Sequence, residues 1–191
     1  MIEAFFTSIA VVALAEVGDK TMLLAIVLAA KLRKPWQIIA GIFAATIVNH
    51  AFAALIGSEV SGLIDAPWFR IAVAVGFIAM GLWTLVPDKF DDDGGFKQRG
   101  SVFLTTLVSF FLVEMGDKTQ VATIALGAQY HSVLAVASGT TIGMMIANVP
   151  AVFLGEELVK RVSLKATRIA AALLFVALGS WQLSTALGWL N

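Results

Sequence analysis

Two short stretches of this sequence spell the same polar pattern inside otherwise apolar chain. Glu16-Val17-Gly18-Asp19-Lys20-Thr21 and Glu114-Met115-Gly116-Asp117-Lys118-Thr119 both read Glu-x-Gly-Asp-Lys-Thr. In a continuous helix Glu16, Asp19 and Lys20 stand at i, i+3 and i+4 and share one face, as do Glu114, Asp117 and Lys118. A charge at the centre of a bilayer costs roughly 2.5–3.5 kcal/mol on insertion scales. Six of them uncompensated would cost about 15 kcal/mol, as much as the whole stability of a typical domain. They must therefore face one another, a cavity or an ion. Four carboxylates against two ammonium groups leave two negative charges, which one divalent cation or two protons would cancel. Glu16, Asp19, Glu114 and Asp117 are the candidate metal ligands. The Thr21 and Thr119 hydroxyls and the Gln120 amide are supporting oxygens, and an oxygen set suits hard cations such as Ca²⁺, Mg²⁺ and Mn²⁺. Met22 and Met115 adjoin the motifs, and a thioether would tilt the preference toward Mn²⁺, although packing is the ordinary role of such a methionine. Lys20 and Lys118 can only donate, so they read as counter-charges that pair with a motif acid while no ion is bound. Two self-neutralising Glu–Lys pairs would be a blander reading, but it leaves both aspartates without a role.

Other polar residues fall in apolar surroundings. Asn49 and Asn148 are 99 positions apart, one more than the motif spacing; each either lines the site or bridges helices. His50 is read as a helix-bridging hydrogen-bonder, with proton carriage as the alternative. Glu59 and Glu157 sit at segment ends, as solvated carboxylates or as a vestibule that gathers cations. Gly41, Gly57, Gly139 and Gly155 are expected to allow close helix packing, and Trp68, Trp83, Trp181 and Trp189 to anchor at the interfaces.

The elements that carry these residues follow from composition. Of 191 residues 59% are hydrophobic and 14% charged, with no net charge and no cysteine. A soluble domain carries about 25% charged residues, so lipid must solvate much of this chain. Zero net charge without a basic run argues against nucleic acid, and the lack of cysteine excludes disulfides and thiolate chemistry. Glu3 precedes the first apolar run, so a cleaved leader is not expected. Six apolar segments, 2–30, 36–57, 68–87, 101–128, 133–155 and 167–190, are each long enough to cross about 30 Å of hydrocarbon as helices. The first exceeds that need, and Gly18 is a plausible place for it to break.

The spacing of 98 between the motifs continues along the chain without a gap. It pairs Gly41 with Gly139, Glu59 with Glu157, Arg70-Ile71-Ala72 with Arg168-Ile169-Ala170, and Trp83 with Trp181. The expected architecture is all-α and integral to the membrane: six transmembrane helices as an inverted 3+3 repeat, with the motif helices, one and four, central. Residues 1–87 form the first repeat, 88–100 an acidic cytoplasmic linker containing Asp91, Asp92 and Asp93, and 101–191 the second. Ten of the 13 Lys and Arg fall in the loops after the first, third and fifth segments. The positive-inside rule puts those loops in the cytoplasm and both termini outside.

With its signature present once in each half, the sequence resembles uncharacterised protein family 0016. That family holds the Golgi and chloroplast Mn²⁺/Ca²⁺ transporters, which are cation/proton exchangers, and bacterial manganese exporters. No motif position departs from its pattern, and the compact length resembles the bacterial branch. The resemblance implies a transporter of the bacterial inner membrane that exports Mn²⁺, with Ca²⁺ as the second candidate, in exchange for protons. The four acids would bind the ion, and no cofactor or enzymatic activity is implied. Three competing readings are an intramembrane aspartyl protease, suggested by the Gly-Asp pairs, a non-transporting membrane scaffold and a passive divalent channel. A protease dyad shares one proton between two carboxylates, and four acids with two lysines are the wrong constellation for it.

Overall fold

The computed structural model describes residues 1–60, 66–86, 100–155, 157 and 163–189. Among these every regular element is a helix: α1 (Ile2–Glu16), α2 (Lys20–Leu32), α3 (Pro35–Val60), α4 (Pro67–Thr84), α5 (Val102–Glu114), α6 (Lys118–Tyr130), α7 (Val133–Leu154) and α8 (Leu164–Ala186). Most of the expected linker, Asp91 to Asp93 included, lies outside the described residues.

The first and fourth apolar segments are each two helices rather than one. The break falls inside the motif both times. Gly18 has φ 87° and Gly116 φ 79°, a backbone conformation that glycine adopts without a Cβ clash and that no α-helix contains. The residue before each is extended, with ψ 112° at Val17 and 118° at Met115. Each turn is closed by one backbone bond of 3.0 Å, from Asp19 N–H to the Glu16 carbonyl and from Asp117 N–H to the Glu114 carbonyl. The shared face that a continuous helix would give is therefore absent. Glu16 and Glu114 close one half-helix, while Asp19 and Asp117 occupy the N-cap of the next.

Among the described residues three helices are long and apolar enough to cross a membrane unbroken: Pro35–Val60, Val133–Leu154 and Lys165–Ala186. Phe52, Leu82, Leu112 and Leu173 are 60–65% exposed, and Trp68, Trp181 and Trp189 are 55–76% exposed. Apolar surface on that scale is at home in lipid rather than water.

The packing is reciprocal between the halves. α3 lies on α5 and α6, and α7 lies on α1 and α2, while α4 packs on α8. Gly41 lets α3 approach the Phe103 carbonyl of α5, where an added Cβ would sit 2.8 Å from that oxygen. Gly139 lets α7 approach the Phe5 carbonyl of α1, where it would sit at 2.5 Å. Phe103 is the residue 98 positions after Phe5. Phe77 and Phe175, also 98 apart, stack on each other with ring centroids 6.3 Å apart. Gly155 departs from the expected packing role. It ends α7 with φ 55°, and no atom lies within 4 Å of where its Cβ would be.

Candidate cation site

The turn that breaks each motif segment decides what its residues can reach. A glutamate on the last residue of one half-helix and a threonine near the start of the next stand on either side of the break. The Thr21 hydroxyl donates to Glu16 Oε1, and the Thr119 hydroxyl donates to Glu114 Oε1. Thr119 N–H also donates to Asp117 Oδ2 at 3.5 Å, capping α6. The glycine N–H groups at the breaks have partners as well. Gly18 N–H points to Met22 Sδ at 3.4 Å and Gly116 N–H donates to Gln120 Oε1 at 2.6 Å. Met22 and Gln120 are again 98 apart, so both serve the turn. Met115, by contrast, is 56% exposed and brings no thioether to the cluster.

The two motifs meet each other. Lys20 Nζ lies 2.7 Å from Asp117 Oδ1, and Lys118 Nζ lies 3.8 Å from Asp19 Oδ1. Each lysine thus crosses to the aspartate of the opposite half. Glu16, Asp19, Glu114 and Asp117 are all at most 2% exposed. In so dry a setting a carboxylate without a counter-charge would be costly, and the crossed pairs supply one for each aspartate. The two pairs differ. The Lys118 side chain is 4% exposed and stands over the Trp83 ring at 5.9 Å, whereas the Lys20 side chain is 29% exposed.

The glutamates are met by polar residues of α3 and α7. Asn148 Nδ2 donates to Glu16 Oε1 at 3.0 Å, and His50 Nε2 lies 3.5 Å from Glu114 Oε1. Asn148 and His50 are 98 apart, so they occupy equivalent positions and each addresses the glutamate of the opposite half. Asn49 does something else: its amide donates to the Phe111 carbonyl at 3.2 Å and ties α3 to α5. Of the two roles open to these asparagines, Asn49 bridges helices and Asn148 reaches the motif. After these bonds Glu16 Oε2, Glu114 Oε2, Asn148 Oδ1 and His50 Nδ1 remain buried without a hydrogen-bond partner. Among the described residues no three acidic or imidazole groups converge to metal-ligating distance, and each motif aspartate is engaged by a lysine of the other motif.

Two hollows among the described residues bear on where the site lies. One of about 200 Å³ is lined by Arg70, Gln129, Trp181, Gln182 and Thr185, roughly 16 Å along α6 from the second motif at 1.5 Å per residue. An arginine and two amides are a poor lining for a cation, so its size does not make it the site. The other, a shallow hollow too small for a water molecule, is lined by Gly18, Asp19, Thr84, Lys118 and Arg168, beside the first motif.

Comparison with known proteins gives a consistent result. The family model described as "Divalent cation/proton antiporter GDT1" matches residues 4–92 and 102–189. A Vibrio cholerae protein named "Putative manganese exporter" is 45% identical over 170 residues, covering 88% of this chain and 84% of its own. "GDT1-like protein 5" of Arabidopsis thaliana is 28% identical over 225 residues, covering 97% of each chain. "GDT1-like protein 4" of Oryza sativa subsp. indica is 28% identical over 202 residues, covering 92% of this chain and 71% of its own. No solved structure matches.

Proposed function

Because the chain belongs to the divalent cation/proton antiporter family GDT1, we propose that it is a secondary active exporter of Mn²⁺, with Ca²⁺ as the second candidate, working by exchange for protons across the bacterial inner membrane. The family is one of transporters and not of enzymes, which disposes of the protease reading. The manganese assignment draws on the name of the Vibrio cholerae relative and on the oxygen-rich motifs.

The observation that carries the proposal is the meeting of the two motifs in one buried cluster. Four carboxylates and two lysines from opposite halves leave two negative charges to neutralise. In this reading Glu16, Asp19, Glu114 and Asp117 bind the ion, and Lys20 and Lys118 hold the aspartates until it arrives. Thr21 and Thr119 orient the glutamates, Gln120 holds the second turn, Asn148 holds Glu16, and Asn49 braces α3 against α5. The broken helices support a transport role, since discontinuous helices at a repeat interface free backbone groups and give a point of bending.

Residues 1–87 and 101–191 would be two three-helix repeats of opposite orientation, joined by a cytoplasmic linker at 88–100. Both termini would lie outside, and rocking of one repeat against the other would expose the cluster to each side in turn. The test is metal flux in proteoliposomes with and without an imposed pH difference. Exchange predicts uphill Mn²⁺ movement driven by the proton gradient alone. Flux indifferent to the gradient would leave a channel, and no flux would leave a scaffold. Glu16→Gln, Asp19→Asn, Glu114→Gln and Asp117→Asn should each abolish gradient-driven flux while the protein stays monodisperse in detergent.

A further inference from the structure

We propose that His50 is a specificity-determining ligand of the cation site, supplying an imidazole nitrogen that favours a transition-metal ion over Ca²⁺. This rests on the transport reading above and adds a residue that the motifs do not contain.

His50 lies on α3 with no exposed surface. A structural histidine in such a setting is normally satisfied at both ring nitrogens. Here Nδ1 has no hydrogen-bond partner, and neither has Glu114 Oε2 across from it. The 3.5 Å between His50 Nε2 and Glu114 Oε1 is long for an N–H···O bond. It suits two neighbouring ligands of one ion, because donors about 2.1–2.5 Å from an octahedral centre stand roughly 3.0–3.5 Å apart.

The repeat gives a second, independent pointer. At the position 98 residues on, Asn148 meets Glu16 in the same way through Nδ2 at 3.0 Å and keeps Oδ1 without a partner. Both halves therefore aim a polar side chain at the glutamate of the other, and both leave a donor atom unused. One half offers an amide oxygen, the other an imidazole nitrogen. Ca²⁺ takes oxygen ligands, whereas first-row transition ions accept imidazole, so the nitrogen is the atom that can separate the two classes. With asparagine at both positions the site would be oxygen-only and would lose that means of discrimination.

The test uses the full-length protein in detergent, loaded with Mn²⁺ and read by pulsed electron paramagnetic resonance. Imidazole coordination gives a ¹⁴N coupling that oxygen ligands and ammonium groups do not. That coupling should be present in the parent protein, persist in His131→Asn, which removes the exposed histidine that caps α6, and vanish in His50→Asn. Competition binding on His50→Asn should show the preference for Mn²⁺ over Ca²⁺ reduced about tenfold or more. Mn²⁺ bound without ¹⁴N coupling in the parent protein would overturn the assignment without any variant having to fold. Unchanged discrimination in His50→Asn would overturn it as well. Failure of the parent protein to bind either ion would instead sink the transport reading, and this inference with it.

Discussion

Lys20 and Lys118 hold equivalent places in the two motifs, yet their surroundings differ. The Lys118 side chain is 4% exposed and stands over Trp83, and Asp19 opposite it is almost fully buried. Removing one partner of a buried pair costs roughly 3–5 kcal/mol because the other charge is left without compensation. The Lys20 side chain is 29% exposed, and Asp117 also accepts from Thr119, so its loss should cost only about 1–2 kcal/mol. Lys118→Met should therefore lower the melting temperature in detergent clearly more than Lys20→Met. Equal shifts would mean that the asymmetry has no energetic weight. At this scale the motif residues could be read from the sequence, because charge in apolar surroundings is costly enough to demand an explanation. The partners of the glutamates could not be read by residue type. Histidine and asparagine look unrelated until the spacing of 98 aligns His50 with Asn148, and only the fold brings each of them to its glutamate.

The broken helix is the element that sets the geometry. Length alone signals trouble in the first segment, since a mainly apolar stretch of 29 residues is longer than a bilayer requires. It could not say whether the segment tilts or breaks, because a single glycine is tolerated in many helices. Positive φ at Gly18 and Gly116 decides for a break, and it turns one helical face into a helix end followed by a helix start. Position 116 allows a clean test, because no atom lies within 4 Å of where a Cβ would be. Any effect of Gly116→Ala must then come from the backbone, at about 1–2 kcal/mol for a left-handed alanine. The expected outcome is a modest fall in thermal stability with a larger loss of Mn²⁺ flux, since Asp117 would no longer be aimed at Lys20. A variant with parental stability and flux would show that the turn tolerates another backbone conformation. Gly155 marks the opposite limit of sequence reading. It lies in register with Gly57, yet Gly57 packs against α6 while Gly155 only ends a helix.

At the scale of the whole molecule the two motifs complete each other: neither balances its own charges, each lysine pairs with the aspartate of the other motif, and Asn148 and His50 meet Glu16 and Glu114. That arrangement bears on both topology and coupling. If the halves are inverted repeats, a cysteine placed at Asp92 should react with membrane-impermeant reagents only from the cytoplasmic side, and external labelling would overturn the orientation. Coupling follows from charge. A cluster of charge −2 becomes neutral on binding one divalent ion or two protons, so either loaded form could cross without a bare buried charge. Exchange of one Mn²⁺ for two protons moves no net charge. A pH difference of one unit then supplies about 2.7 kcal/mol for two protons and supports a metal gradient of about 100-fold. Exchange for a single proton would support only about tenfold from the same pH difference. It would also move one net charge, which at 100 mV is worth about 2.3 kcal/mol and shifts the end-point roughly 50-fold. The measurement is the final Mn²⁺ ratio in proteoliposomes with potential and pH difference clamped separately. The two-proton scheme requires an end-point that rises about 100-fold per pH unit and stays flat across voltage. A voltage-dependent end-point would refute that stoichiometry while leaving exchange itself standing.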